Sequence, residues 1–166
     1  MHTTISGTFV KIAFASDASI LLARGAPHRP AARFNREGQD ALYLSPDEES
    51  ARVAIGEYVK VSDPQRILLR FDVTAARLVD LRHPNSASIY ANACQPWQSA
   101  IAKGMSPPSW TAADELRQAN EIGLIDPSRR RPGLWHITLF RWNEPGAPSV
   151  VDLGEPKPIE LSLNYR

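Results

Sequence analysis

Residues 25–40 are the segment that most limits how this chain can fold. Turn-forming residues interrupt the segment at five positions, namely Gly25, Pro27, Pro30, Asn35 and Gly38. Because it also shows little apolar periodicity, the segment predicts a long irregular connection between elements of regular structure. Loops of this length inside a compact domain are usually functional or mobile, so the segment is a candidate part of a binding site.

Two turn-rich stretches carry arginines that suit one shared ligand. The first is the basic-aromatic turn 32–38, which leads into residues 41–45, and the second is the stretch 126–133. A guanidinium pairs with phosphate oxygens in a bidentate way, and a nearby glycine lets the backbone approach closely. Both stretches therefore suit a pyrophosphate, and we interpret them as opposite walls of one cleft.

The composition predicts one domain over residues 1–166. With 166 residues and 43% hydrophobic content, the chain can build a core that buries roughly 70% of its unfolded surface. A net charge of +1 argues against a large nucleic-acid surface, which usually needs a concentrated basic face. The run Arg129–Arg131 is the local exception. No apolar run approaches the ~20 residues of a membrane-spanning helix, so no membrane span is expected.

Cysteine and histidine usage predicts a reducing compartment and no metal site. The single Cys94 cannot form an internal disulfide, and the N-terminus lacks the pattern of a secretory signal, so we expect a cytoplasmic protein. Four scattered histidines and one cysteine give no metal-ligand spacing. We interpret His136 as a structural histidine within a strand. The tryptophans are expected to be core or interface anchors, at positions Trp97, Trp110, Trp135 and Trp142.

Alternating apolar residues and strand formers predict a strand-rich core. The expected strands are residues 7–14, 41–45, 66–73, 76–81, 124–125, 134–142, 150–153 and 158–163. A tight bend is expected at Thr74 and Ala75. Two main helices are expected, one over residues 47–59 and one that opens at the capping-box sequence 111–114 and ends at Gly123. Residues 84–110 predict short helices and loops, so the fold class is α+β.

Several short motifs together resemble the RES-domain family. They are Arg33-Phe34-Asn35 with Gly38, Leu42 to Ser45, Ala54 to Tyr58, and Pro127 to Arg130 before Leu139-Phe140. Their order and positions match the family from the first strand to Phe140. The resemblance implies an ADP-ribosyltransferase-like α+β fold, with a mixed or antiparallel sheet core and a few flanking helices. It also implies an NAD-degrading toxin that an Xre-type antitoxin usually neutralises.

Matching the motifs residue by residue assigns four positions of the candidate site directly. Arg33 stands at the first-motif arginine of the family, and Tyr43 stands at its strand tyrosine. Ser128 stands at the family serine, and Arg130 fills the arginine of the S-x-R motif.

Two further positions depart from the family pattern. Lys11 lies in the first strand, where the family commonly has an arginine. The family glutamate lies closer to its tyrosine than Glu57 lies to Tyr43. Strict spacing would place Ala54 at that position, so assigning Glu57 requires a local insertion of one helical turn.

The resemblance implies that NAD is the substrate and that the reaction needs no separate cofactor. The nicotinamide–ribose bond would be cleaved by hydrolysis, or by phosphorolysis with inorganic phosphate as co-substrate. Glu57 would stabilise positive charge on the ribose, Tyr43 would contact the nicotinamide side, and Ser128 would orient a ribose hydroxyl or a phosphate. The pyrophosphate would be held by Arg33, Lys11 and Arg130.

Two other functions are compatible with the sequence. An ADP-ribosyltransferase would use the same residues to move ADP-ribose onto a protein. A non-catalytic nucleotide- or RNA-binding module would use Arg129–Arg131 and nearby aromatic residues, although the near-neutral net charge opposes it and no direct nucleic-acid binding is expected. Besides an antitoxin, the sequence leaves a homo-oligomer open.

Overall fold

A computed structural model describes residues 1–161, and this part of the chain contains seven strands and four α-helices. The strands are β1 (His2–Phe14), β2 (Leu42–Leu44), β3 (Arg66–Asp80), β4 (Gly123–Pro127), β5 (Trp135–Leu139), β6 (Val150–Asp152) and β7 (Lys157–Ile159). The helices are α1 (Glu48–Ile55), α2 (Ala87–Ala93), α3 (Gln98–Ala102) and α4 (Pro108–Gln118). The predicted fold class is confirmed: a mixed, mostly antiparallel sheet carries a few flanking helices.

The strands form a sheet in the order β1-β3-β4-β5-β2, and β6 and β7 add to β3. Only the β3–β4 pair is parallel among these pairings. The path also returns to its start, because Val10 and Ser45 exchange backbone hydrogen bonds of 2.7 and 2.8 Å between β1 and the residue after β2. This closure brings the end of β2 beside β1, and residues of both strands line the cavity described below.

The bend predicted at Thr74 and Ala75 is wrong, because β3 runs through both residues without a turn. Ile5 of β1 pairs with Ala76, whereas Gly7 pairs with Val73, so two residues of β3 lie opposite one residue of β1. This is the arrangement of a β-bulge, which kinks a strand without reversing it. The predicted pair of short strands is therefore one strand of 15 residues.

Helix α1 begins as predicted but ends early. Asp47 is its N-cap, and its carboxylate accepts a 2.7 Å hydrogen bond from the backbone N–H of Ser50. The α-helix stops at Ile55 and a 3-10 helix, Gly56–Tyr58, continues the chain, whereas a single helix over 47–59 was predicted. The helical spacing of apolar residues predicts one buried stripe of Ala51, Ala54, Ile55, Tyr58 and Val59. This stripe is partly wrong, because Ala54 is exposed and Val53 is buried.

Helix α4 is displaced towards the N-terminus relative to its prediction. It starts at Pro108, where the ring fixes a helical φ, and not at the capping-box residue Thr111. It ends at Gln118, and the predicted terminator Gly123 is instead the first residue of β4. A Cβ on Gly123 would collide with the carbonyl oxygen of Thr138, so the close approach of β4 to β5 requires glycine there.

The remaining predicted elements are present with shifted ends. The irregular segment 25–40 and the short helices within residues 84–110 are confirmed. Strand β1 starts earlier than predicted, β5 is shorter than the predicted strand 134–142, and the last two strands are Val150–Asp152 and Lys157–Ile159. Residues 162 and 163 of the last predicted strand lie outside the described residues.

Strand β5 separates two packed regions. Its residues Ile137 and Leu139 point into the main core, which also contains the fully buried Trp142. Phe140, which follows the strand, packs with helices α2 and α4 in a second cluster. His136 and Thr138 alternate with the core residues, so they face the side of the sheet on which the cavity lies.

Candidate active site

A cavity of about 780 Å³ opens on the face of the sheet that carries His136 and Thr138. Its size falls within the range of small-molecule sites. The strands form the floor, and the walls come from α1, the loop at Ala32 to Phe34, residues 94–99 and residues 126–130. The two basic stretches that the sequence singled out therefore line one cavity. Five predicted site residues also line it: Lys11, Arg33, Tyr43, Ser128 and Arg130.

The floor is built from polar residues on neighbouring strands. Tyr43 of β2 lies opposite Thr138 of β5 in the strand register. One step along, His136 of β5 lies opposite Asp126 of β4, and its Nδ1 is 2.9 Å from the Oγ of Ser45. These residues share a face because side chains on one side of a sheet repeat every second residue.

Lys11 reaches this floor from β1. Its Nζ donates a 3.2 Å hydrogen bond to the carbonyl oxygen of Tyr43 and lies 5.7 Å from the centre of the Tyr43 ring. Burial lowers the pKa of Lys11 to about 8; Arg29 adds to the shift and Asp17 opposes it. Because burial disfavours the charged form of Lys11, an anion close to its ammonium group would stabilise that form.

Tyr43 ties the irregular segment 25–40 to the floor. Its hydroxyl donates a 2.6 Å hydrogen bond to Oδ1 of Asn35 and accepts a 3.0 Å bond from the N–H of Phe34. Its ring stacks on that of Phe34 at 6.5 Å. Burial raises the pKa of the Tyr43 phenol, so the group stays neutral. Because the hydroxyl already bonds to Asn35 and Phe34, the ring is the part of Tyr43 that remains for contact with a ligand in the cavity.

Arg33 links the same segment to the end of α2. Its Nη1 donates hydrogen bonds of 3.1 and 2.8 Å to the carbonyl oxygens of Ala93 and Gln95. Its backbone is held as well, since Ser109 donates to the Arg33 carbonyl and Trp110 Nε1 donates to the Ala32 carbonyl at 2.8 Å. The guanidinium therefore stands at the cavity wall in a fixed position.

Ser128 and Arg130 line the cavity from the second basic stretch, residues 126–133. The Ser128 hydroxyl accepts a 3.1 Å hydrogen bond from the N–H of Arg131, so it shapes the turn in addition to lining the cavity. Arg130 lies 3.5 Å from the carbonyl oxygen of Val53, which places it beside α1. A role of Ser128 in the turn is thus compatible with its family assignment.

The backbone of Glu57 lies in the 3-10 helix Gly56–Tyr58, and its side chain lies outside what the structure describes. Its neighbours Ile55 and Tyr58 line the cavity. Ala54, which strict family spacing would select, also lines the cavity and carries no carboxylate. The assignment of Glu57 stays a prediction.

Several cavity residues were missed as candidates by the sequence analysis. His136 was interpreted as structural, and Trp97 as a core or interface anchor, yet both line the cavity. Trp97 packs against Tyr58 with ring centres 6.3 Å apart. The alternation of His136 with core residues along β5 was the available signal for the histidine. No comparable periodic signal marked Trp97, because it precedes the short helix α3.

The described part of the cavity is positively charged. Four cationic residues line it, namely Lys11, Arg33, Arg129 and Arg130, against one described carboxylate, that of Asp126. Arg129 pairs with this carboxylate through two 2.9 Å hydrogen bonds. The surplus of positive charge suits a polyanionic ligand, and the aromatic side chains beside it suit planar rings.

Within residues 1–161, no group of three or more potential ligands among His, Cys, Asp and Glu is arranged to hold a metal ion. None of the helices described there has the length and apolar character required to cross a membrane.

Fold and cavity together define an α+β protein with a basic cavity on one face of its sheet. This chain belongs to the RES-domain family, since the family model for the RES domain matches residues 13–163. It is also similar in fold to a chain of the M. tuberculosis MbcT–MbcA toxin–antitoxin complex, with a TM-score of 0.64 and 17% sequence identity over 99% of this chain and 89% of that chain. No curated protein matches the sequence. The resemblance carried by the short motifs is thereby confirmed.

Proposed function

We propose that this protein is the toxin of a toxin–antitoxin pair and that it degrades NAD by cleaving the bond between nicotinamide and ribose. The observation that carries the proposal is the convergence of Lys11, Arg33, Tyr43, Ser128 and Arg130 on one cavity. They come from distant parts of the chain; four of them match RES-family motifs, and Lys11 stands where the family commonly has an arginine. Membership of the family and the fold shared with a toxin–antitoxin complex support the same function.

The charge distribution of the cavity supports NAD as the ligand. Arg33, Lys11 and Arg130 line the cavity from three separate segments of the chain, so a pyrophosphate bound there would meet several cations. The ring of Tyr43, which is the accessible part of that side chain, would contact the nicotinamide. A nucleotide base has a further stacking surface in the Tyr58–Trp97 pair.

The chemistry requires stabilisation of a cationic ribose more than acid catalysis. Nicotinamide leaves as a neutral molecule, because the electron pair of the broken bond returns to its positively charged ring nitrogen. The barrier then lies in an oxocarbenium-like ribose, which a nearby carboxylate stabilises. We assign this role to Glu57, and we assign to Ser128 the orientation of a ribose hydroxyl or of the incoming acceptor.

The acceptor is water in a hydrolase and inorganic phosphate in a phosphorylase. The cationic cavity accommodates either, so both products belong to the proposal. An Xre-type antitoxin is the proposed protein partner, supported by family membership and by the fold shared with a chain of a toxin–antitoxin complex.

Product analysis tests this function. Purified protein is incubated with NAD in phosphate-containing and phosphate-free buffer, and the products are identified by mass spectrometry. Free ADP-ribose indicates hydrolysis, and ADP-ribose 1″-phosphate indicates phosphorolysis. Transfer of ADP-ribose to a protein would instead identify an ADP-ribosyltransferase. Intact NAD together with steeply salt-dependent RNA binding would identify a binding module and refute the proposal.

A further inference from the structure

His136 lies at the centre of a polar row across the cavity floor. Asp126 faces it from β4, and the hydroxyl of Ser45 lies 2.9 Å from its Nδ1. Ser45 itself is fixed by two backbone hydrogen bonds to Val10. Arg129 fixes Asp126 through two 2.9 Å hydrogen bonds. The imidazole is therefore positioned by Ser45, and Asp126 lies opposite it on the neighbouring strand.

The two ring nitrogens of His136 have different surroundings. Nδ1 has Ser45 as its partner, whereas Nε2 has no hydrogen-bond partner among the side-chain contacts of residues 1–161. When Nδ1 carries the proton and donates it to the Ser45 oxygen, Nε2 has a free electron pair. Because His136 lines the cavity, this electron pair is available to a molecule bound there.

We propose that His136 is the general base of this site and accepts the proton of the acceptor through Nε2. The inference rests on the proposed function. The acceptor oxygen bonds to the ribose carbon as the carbon–nitrogen bond to nicotinamide breaks. The electron pair of the broken bond goes to the nicotinamide ring, and the acceptor proton goes to Nε2 and then to solvent. Ser45 is a positioning residue that selects the required tautomer.

Burial favours the neutral, basic form of His136. Burial lowers the pKa of His136, and Arg129 adds to this effect, whereas Asp126 and Asp47 oppose it. Lys11 of β1 and Arg130 of the turn after β4 line the same cavity and add to its positive charge. A bound pyrophosphate would offset part of that charge, and the imidazole would still start each turnover unprotonated near neutral pH.

The test is the pH dependence of NAD turnover in matched variants. His136→Asn keeps an atom near Nδ1 for Ser45 but removes Nε2, whereas His136→Gln keeps an amide near Nε2 that cannot act as a base. Both should lower kcat by about 10²-fold, the lower end of general-base contributions. The wild type should show a fall of kcat/KM on the acid side of neutrality, and both variants should abolish it. In His136→Ala, added imidazole should restore part of kcat. Ser45→Ala should retain the acid-side fall with a smaller loss of kcat.

Two results separate this inference from the proposed function. If the wild type cleaves NAD and a folded His136→Asn or His136→Gln variant keeps the wild-type kcat and acid-side fall, His136 is not the base and the cleavage activity stands. If the wild type itself leaves NAD intact, the proposed function fails and this inference fails with it. Chemical denaturation of each variant verifies folding, and a loss of kcat without any change in the pH profile would likewise overturn the role of base.

Discussion

The hydroxyl of Tyr43 donates a 2.6 Å hydrogen bond to the side-chain oxygen of Asn35, and this contact joins the cavity floor to the segment 25–40. Asn35 is buried, and its amide donates to the carbonyls of Pro30 and Arg36 at 2.9 Å. Tyr43, on a three-residue strand, thus helps to hold the loop that carries Arg33.

Tyr43→Phe separates the role of the hydroxyl from that of the ring. The substitution removes the bonds to Asn35 and to the N–H of Phe34, so we expect the free energy of unfolding to fall by about 1–3 kcal/mol. The ring stays, so kcat should stay close to wild type while KM for NAD rises through a looser loop. Denaturant titration and steady-state kinetics measure both. Unchanged stability would show that the loop is held by other contacts.

Arg33→Ala should mainly weaken NAD binding. The loss of a charged hydrogen bond to a phosphate corresponds to roughly 1.5–3 kcal/mol in binding free energy, which raises KM by about 10- to 100-fold. Arg36→Ala is the matched control, since Arg36 lies on the same loop but pairs with Asp114 at the surface. Surface pairs contribute about 0–1 kcal/mol, so its KM should change by less than about fivefold. An unchanged KM in Arg33→Ala would remove Arg33 from the site.

Glu57→Gln tests the carboxylate of the mechanism. The amide keeps the shape and hydrogen-bonding capacity of the side chain but removes its charge, so kcat should drop by roughly 10²–10³-fold. Folding should be nearly unaffected. Glu49→Gln, in the first turn of α1, is the control and should cost only a few tenths of a kcal/mol in stability.

The two outcomes of this comparison point to different errors. If Glu49→Gln abolishes turnover while Glu57→Gln leaves it intact, the family glutamate has been assigned to the wrong turn of the helix. If both variants keep full activity, the carboxylate mechanism itself is wrong.

The lowered pKa of Lys11 predicts that KM for NAD changes with pH on the alkaline side of neutrality. Its pKa of about 8 means that the ammonium loses its charge above that pH, so KM for NAD should rise as the pH exceeds 8. In Lys11→Arg the charge persists, and KM should stay level over the same range. A wild-type KM that is constant to pH 10 would exclude Lys11 from pyrophosphate binding.

The titration of Lys11 should also make the free energy of unfolding depend on pH, in a direction that follows from the shift of its pKa. Between pH 8 and 10.5 the unfolded chain binds the Lys11 proton and the folded chain does not, because the pKa is lowered from 10.5 to about 8. The contribution of Lys11 to the free energy of unfolding therefore rises with pH across this window. Comparing the wild type with Lys11→Met by denaturant titration at each pH isolates that rise.

The sequence predicted the parts of the fold that depend on local pattern. Strand formers located the sheet, and the proline and acidic residues after Ser45 located the start of α1. It failed where a distant contact decides the outcome. A bend was predicted at Thr74 and Ala75 because no local feature shows that β1 continues beside them. Gly123 was predicted to end a helix, whereas it is a glycine because the backbone of Thr138 leaves no room for a Cβ.

The candidate site was predictable to a similar extent. Motif positions identified Arg33 and Ser128 on two distant stretches, and the structure brings both to one cavity. His136 was interpreted as structural because its alternation with core residues indicates which face of the strand it occupies but not that a cavity lies on that face. Only the pairing of β5 with β2 and β4 shows that it stands between Ser45 and Asp126.

The most direct test of the account is the release of nicotinamide from NAD by the purified wild-type protein. Nicotinamide and NAD are quantified by chromatography over time, with Glu57→Gln measured beside the wild type. The account predicts that one nicotinamide appears for each NAD lost and that the variant is slower by roughly 10²–10³-fold. NAD that stays intact after long incubation with the folded wild-type protein, in buffer with and without phosphate, would contradict it.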